Sequence, residues 1–461
     1  MKPWQSALYI AVVLFLLCVF LQKFPAGGIT VTGITFRVPV RCSLTPQESP
    51  VTGRRAPVPV PAARQGIHRL SFTDSLLRAV PPLEMADSTR WLLYRLLQDL
   101  DSLRTQKKSL HILYYGDSQI EGDRITSVLR DSLQRRFGGG GPGFLLPVMT
   151  VSYTATFVTD PSPGWVGITH YGPLPSSLRE IPIGLAGGYS LAADTLAAGA
   201  DGVVCRITVH GNTSPRVRRF TRVRMWLWAA GEGISVGLAG GKQLQAAEAV
   251  PPGRLTQLTT AVPAGTRRLV LQVRAPAPLA VEGIVLDDTL GVGVDNIPLR
   301  GRPFMSFSRC DSATVVRMFD DLHVRMVVLQ FGLNVAAGSM DDVRRYRRTL
   351  RRELGWLRHT FPGLFVLVVG VTDIGGGDPH LQERLQWLRR EQRAAALAHG
   401  CAYWDASLAM GGTGAIQRWA AHQPPLVRPD QVHLSREGAR LFATLLLRAL
   451  MENYQEYADG L

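Results

Sequence analysis

The chain has 461 residues, enough for two or three domains, and a formal net charge of +15 of which only five residues are lysine. No helix-turn-helix, zinc-finger or RNA-binding signature accompanies that charge. The arginines are dispersed, so nucleic-acid binding is excluded as the reading of a basic surface. The densest group, Arg344, Arg345, Arg347, Arg348, Arg351 and Arg352, falls on one expected helix and reads as its solvated face.

Residues 7–21 are an uninterrupted apolar run behind a short head containing Lys2. The run is somewhat short for a spanning helix of ~20 residues, and no small-x-small cleavage site follows it. Residues 1–24 are therefore expected to be a signal anchor or transmembrane helix in an inner membrane, with the rest of the chain extracytoplasmic, in a periplasmic cell envelope. Residues 25–66 hold an alternating stretch that suits a strand pair, then a Pro-rich linker. Cys42, Cys205, Cys310 and Cys401 form no CxxC pair, which argues against a zinc knuckle. They suit buried thiols, or one or two long-range disulfides.

A helix is expected from residue 88, capped by Asp87 or Ser88. The apolar strand 110–115 ends in Gly116-Asp117-Ser118, and helical spacing predicts a helix over 120–137. That helix start would set free N–H groups and a positive dipole end beside the Ser118 hydroxyl. Glycines 138–143 follow the expected helix rather than precede one, and no Gly-Lys-Ser/Thr accompanies them. They read as a helix stop and a close turn, not a phosphate loop. Residues 150–290 contain short β-rich pieces separated by Gly, Pro and Asn, the pattern of a β-sandwich. Trp226 and Trp228 share one face of a strand there, and read as core of the sandwich more readily than as a sugar platform.

Strand and helix patterns alternate again after residue 291, with strands expected at 292–299, 323–330, 364–370 and 402–404. The helices fall at 311–321, 340–359, 380–399 and 437–451. Alternation of this kind predicts a parallel sheet covered on both faces, with a site at the carboxyl ends of its strands. Ser118, Gly301 and Asn334 each lie just past an expected strand end, and Asp430 and His433 precede the last helix. Asp373 and His380 are expected near the same rim as candidate substrate contacts. Asp117 is expected to accept backbone N–H bonds in the serine turn, and Asp123 to sit in the first helical turn.

Four of these stretches, in this order, resemble the blocks of the SGNH (GDSL-type) hydrolases. Gly116-Asp117-Ser118 supplies the nucleophile block, residues 294–301 the glycine block through Gly301, Gly332-Leu333-Asn334 the asparagine block, and Asp430-Gln431-Val432-His433 the histidine block. Val335 stands where the family carries an acid. The resemblance covers residues 108–455. The glycine-rich stretch and β-rich insert are similar to those of bacterial peptidoglycan O-acetylesterases, although that group usually has histidine at the position of Gln119.

The resemblance implies an α/β fold: a flavodoxin-like three-layer α/β/α SGNH hydrolase domain in two parts (67–149 and 291–461), with an inserted carbohydrate-binding-like β-sandwich (150–290). It implies a catalytic set Ser118, Asp430 and His433, with an oxyanion hole from Ser118, Gly301 and Asn334, and no metal or cofactor. The expected activity is removal of O-acetyl groups from a cell-envelope glycan, most naturally peptidoglycan. An O-acetyltransferase acting on a surface polysaccharide and a non-catalytic glycan-binding protein of the same fold are the alternatives.

Overall fold

Five largely buried strands lie side by side in one parallel sheet. They are β1 (Ser109–Gly116), β2 (Gly291–Pro298), β3 (Val324–Gln330), β4 (Phe365–Val369) and β5 (Ala402–Trp404), in the spatial order β2-β1-β3-β4-β5. The computed structural model describes residues 29–31, 34–36, 71–172, 174–193, 202–240, 243–244 and 248–459. The apolar run 7–21, the Pro-rich segment and Cys42 lie outside the described residues, as does the anchor expected from that run. Within residues 1–68, Ile29–Val31 pairs antiparallel with Ile34–Phe36. No helix among the described residues is long and apolar enough to cross a membrane.

Successive side chains of a strand point to opposite faces, and this divides the apolar residues into two layers. Leu113, Tyr115, Val327, Leu329, Val366 and Val368 face the helices α3 (Ser312–Leu322), α4 (Met340–Thr360) and α5 (Leu381–Ala398). Leu110, Ile112, Tyr114, Met326, Val328 and Leu367 face α1 (Asp87–Ser102), α2 (Thr126–Phe137) and α6 (Arg436–Asp459). The strand order places the reversal of winding between β1 and β3, where doubly wound sheets open a crevice at their carboxyl ends. Side-chain caps start two of these helices. Asp311 caps α3 by accepting the Thr314 N–H, and Ser339 and Asp342 form a reciprocal capping box at α4. On α4, Arg344 and Arg345 pair with Asp341 and Asp342 on the solvated face.

One expected helix begins later than its apolar spacing suggests. Gly122 (φ +69°) and Asp123 (φ +62°) both adopt the left-handed region, so a single turn at Glu121–Asp123 is broken off before α2 starts at Thr126. The α-helical N-terminus is thus not beside Ser118, and the dipole expected there is absent. Gly138 ends α2, and the next glycines allow backbones to touch: a Cβ on Gly141 (φ +83°) would lie 2.1 Å from the Leu286 carbonyl oxygen.

Residues 143–287 supply two antiparallel sheets. One runs Leu255–Ala261, Arg222–Ala229, Leu279–Asp287, Gly188–Ala192 and Trp165–Thr169, with Gly143–Leu145 added beside Leu279–Asp287. The other is built on Ser235–Gly240, Arg268–Arg274, Val203–Val209 and Phe157–Pro161. Met225, Leu227, Cys205, Leu271 and Val281 fill the space between them. Period 2 sends Trp226 the other way. Its ring is buried against the helical layer, and its Nε1–H donates to Asp321 at 2.9 Å, so it is not part of the sandwich core.

A buried polar cluster ties the insert to the parallel sheet. The two ring nitrogens of His111 on β1 meet Asp295 of β2 at 2.6 Å and Asp287 of the insert at 3.1 Å. Arg222 donates to Asp287 at 2.9 Å, and Arg224 pairs with the same carboxylate. Burial alone would lower the His111 pKa, but the facing carboxylates outweigh it and the net shift is upward. Burial would likewise raise Asp287, yet the bonds from His111 and Arg222 hold it well below the usual carboxylate range. Cys205, Cys310 and Cys401 are buried free thiols.

Candidate active site

Strand β1 delivers the serine. At Gly116 a Cβ would stand 3.0 Å from the Gln330 carbonyl oxygen, so glycine lets the chain pass close to β3. The Asp117 N–H then donates to that same carbonyl at 3.1 Å, and the Leu299 N–H donates to the Gly116 carbonyl at 2.7 Å. The turns leaving β2 and β3 therefore hang from the two residues that precede Ser118. The Asp117 carboxylate is buried beneath the turn and accepts the Gln119 N–H at 3.1 Å, as its expected role required. Burial outweighs this bond and pushes its pKa up to about 6.

The Ser118 hydroxyl is not a helix cap. Its Oγ lies 2.9 Å from His433 Nε2. His433 Nδ1 in turn lies 2.9 Å from Asp430 Oδ2. The other carboxylate oxygen, Oδ1, accepts the N–H groups of Val432 (2.8 Å) and His433 (2.9 Å). Those bonds curl the loop back on its own carboxylate, with Gln431 at φ +53° completing the bend. Burial would raise the Asp430 pKa, but the bonds from His433 and Val432 win and lower it, so the carboxylate stays ionised opposite the imidazole.

Asn334 sits on a short helical turn, Leu333–Ala336, directly after β3. Its Nδ2 donates to the Arg302 carbonyl at 3.1 Å, which couples it to the turn holding Gly301 (φ +72°). The backbone N–H groups of Ser118 and Gly301 donate to no acceptor among the described residues. The structure thus joins Ser118, His433 and Asp430 in one hydrogen-bonded line, and gathers Gly301 and Asn334 on turns that start at the same strand end.

Two residues expected as substrate contacts are engaged within the protein instead. Asp373 is 1% exposed, accepts from Gln382 Nε2 and the Ile416 N–H at 3.2 Å each, and braces loops instead of facing solvent. His380 is exposed against Glu383 at 3.6 Å, at the head of α5. Asp123 also departs from expectation. Its left-handed backbone turns the carboxylate inward, where it receives Arg130 NH1 at 2.6 Å, Thr156 Oγ1 at 2.6 Å and the Thr126 hydroxyl.

Two further residues position the site through bonds that no motif announces. Gln119, 1% exposed, donates from Nε2 to the Val432 carbonyl. Arg124 donates to the carbonyls of Ser118 (2.9 Å) and Glu121 (2.7 Å). Among the described residues no group of three or more His, Cys, Asp and Glu is arranged to hold a metal ion. An imidazole on a hydroxyl, a carboxylate behind it and free backbone N–H groups beside it constitute the parts of an acyl-transfer site.

No family model matches the chain, and no curated protein matches it either. Among solved structures it is similar to a peptidoglycan O-acetylesterase, at 20% identity and a TM-score of 0.63, over 79% of this chain and 96% of the other. A family two carbohydrate esterase from Clostridium thermocellum in complex with cellohexaose aligns at 11% identity and a TM-score of 0.27, over 58% of this chain and 95% of the other. A lipase/acylhydrolase from Enterococcus faecalis aligns at 20% identity and a TM-score of 0.25, over 36% and 77%. The first of these likenesses shows that the chain shares the fold of that solved structure, and the strand order fits the α/β architecture that the SGNH resemblance implied.

Proposed function

We propose that this chain is a serine esterase that removes O-acetyl groups from a cell-envelope glycan. The observation that carries the reading is the continuous line Ser118 Oγ, His433 Nε2, His433 Nδ1 and Asp430 Oδ2, with 2.9 Å at each step between residues. In this reading His433 takes the Ser118 proton as Oγ attacks the ester carbonyl, and Asp430 holds the imidazole in the required tautomer and stabilises the imidazolium. The N–H groups of Ser118 and Gly301 and the Asn334 amide receive the oxyanion, each donor contributing ~3 kcal/mol in the transition state. His433 returns the proton to the departing sugar oxygen. Water, deprotonated by His433, then attacks the acyl-serine and releases acetate.

The likeness to a peptidoglycan O-acetylesterase supports peptidoglycan as the glycan. The apolar run 7–21 supports an anchored, extracytoplasmic placement. The reading is tested by acetate release from p-nitrophenyl acetate and from O-acetylated peptidoglycan. Ser118→Ala and His433→Ala are each expected to lose activity by at least ~1000-fold. Undiminished activity in either variant overturns it.

A further inference from the structure

Away from Ser118, residues of the insert and of the helical layer line an open cleft of about 760 Å³. Arg179, Arg254, Arg309 and Arg317 line it, and Trp228 forms part of its wall. These arginines come from a loop of the insert, a turn before Leu255–Ala261, the approach to α3 and α3 itself. Arg317 is held by Asp321 at 2.9 Å. Arg179, Arg254 and Arg309 are exposed and form no ion pair among the described residues. Two carboxylates, Glu180 and Asp311, also line the cleft, but Asp311 is occupied in capping α3. Unpaired guanidinium groups facing one space repel each other, and their forked donors match carboxylate geometry.

A chain of contacts links the cleft to the turn that carries Asn334. An adjoining hollow of about 300 Å³ shares Arg179 and Arg309 and adds His170. The His170 ring packs on Tyr171 at 3.9 Å between centroids, and the Arg302 guanidinium lies 4.0 Å over the other ring. Arg302 is the residue whose carbonyl receives the Asn334 amide. A ligand that fills the cleft and also reaches Ser118 is therefore extended, with negative charge at one part and an ester at another.

We propose that this cleft is a subsite for a carboxylate-bearing glycan strand, gripped by Arg179, Arg254 and Arg309 beside Trp228. The ester on the same strand reaches Ser118. Binding at the cleft is independent of the esterase reading, which supplies only the second half of the statement.

Calorimetric titration of the Ser118→Ala chain with a tetragalacturonate, a cellotetraose and a short oligodeoxythymidylate tests it. Tetragalacturonate is expected to bind at least tenfold more tightly than cellotetraose, and to weaken tenfold or more between 50 and 500 mM salt. Arg179→Gln with Arg309→Gln is expected to remove that preference. Arg254→Gln alone, on an exposed turn, is expected to reduce it at least threefold, which keeps the test decisive if the double variant does not fold. Equal binding of the two sugars, or a preference unchanged in both variants, overturns the proposal. Tighter binding of the oligodeoxythymidylate overturns it in favour of nucleic acid. Hydrolysis of p-nitrophenyl acetate by the parent chain reports separately on the esterase reading.

Discussion

The side-chain amide of Gln119 donates to the carbonyl oxygen of Val432 at 2.6 Å, across 313 positions of sequence. This bond joins the residue after the serine to the residue before the histidine. It fixes the spacing of Ser118 Oγ and His433 Nε2 from the backbone side. Gln119→Ala removes it without touching either reacting group. A misplacement of about 1 Å at such a site costs on the order of 100-fold in rate. Steady-state kinetics with p-nitrophenyl acetate are expected to show kcat down 10- to 100-fold with KM changed less than about threefold. An unchanged kcat would show that the Asp430 turn holds His433 unaided.

Asp430 accepts two backbone N–H groups as well as the imidazole, so replacing it by Asn separates charge from loop shape. The variant keeps one oxygen for the Val432 and His433 N–H groups but loses the negative charge behind the ring. The expected fall in kcat is about 10³- to 10⁴-fold, with a melting temperature close to that of the parent. A large loss of stability instead would assign Asp430 to loop folding.

Asp117 gives a pH signature. Its pKa is about 6 in the folded chain against an ordinary 3.8, because the fold favours the neutral acid. The stability this contributes is fully present below about pH 4 and is lost as pH rises through about 6. At ~1.4 kcal/mol per pH unit the loss is about 3 kcal/mol by pH 8. Denaturant unfolding at pH 4 and pH 8 is expected to show Asp117→Asn gaining about 2–3 kcal/mol relative to the parent over that interval. A constant difference between the two chains would refute the assignment.

Arg130 is fully buried and reaches Asp123 with two nitrogens and the Val294 carbonyl with a third, at 2.6, 3.0 and 2.7 Å. Arg130→Met leaves the carboxylate buried without its cation, at an expected cost of about 3–5 kcal/mol. Asp123→Asn with Arg130→Met removes both charges and should recover part of that loss. Urea unfolding of the single and double variants measures the coupling. Strict additivity would mean the pair contributes nothing.

The parallel sheet was legible because buried strands such as Phe365–Val369 are apolar without interruption and the helices between them carry period 3.6. The break at Gly122 and Asp123 was not, since Ile120, Ile125, Leu129 and Leu133 keep apolar residues near helical spacing through it. What decides the break is Arg130 and Thr156 receiving the Asp123 carboxylate, a tertiary matter. Ser118, Asp430 and His433 stood out through motif order, whereas Gln119 and Arg124 act through backbone carbonyls and leave no pattern. Trp226 and Trp228 were read correctly as sharing one strand face, but alternation alone does not say which of two neighbouring layers that face meets. Arginines that seem dispersed along the chain converge at the cleft only after folding, so linear dispersal is a poor guide to surface charge.

The cluster of His111, Asp287, Asp295 and Arg224 locks the insert to the parallel sheet. Modular glycan enzymes often tether a binding unit by a supple string, so that the unit patrols while the catalyst waits. Here the insert and the parallel sheet are riveted together near the start of the first strand. On the proposed reading, a polymer held by the insert meets a template of set dimensions, and the distance from the anchored sugar to the one at Ser118 is a fixed ruler. Selectivity along the polymer would then be counted in residues from the anchor, not in encounters per second.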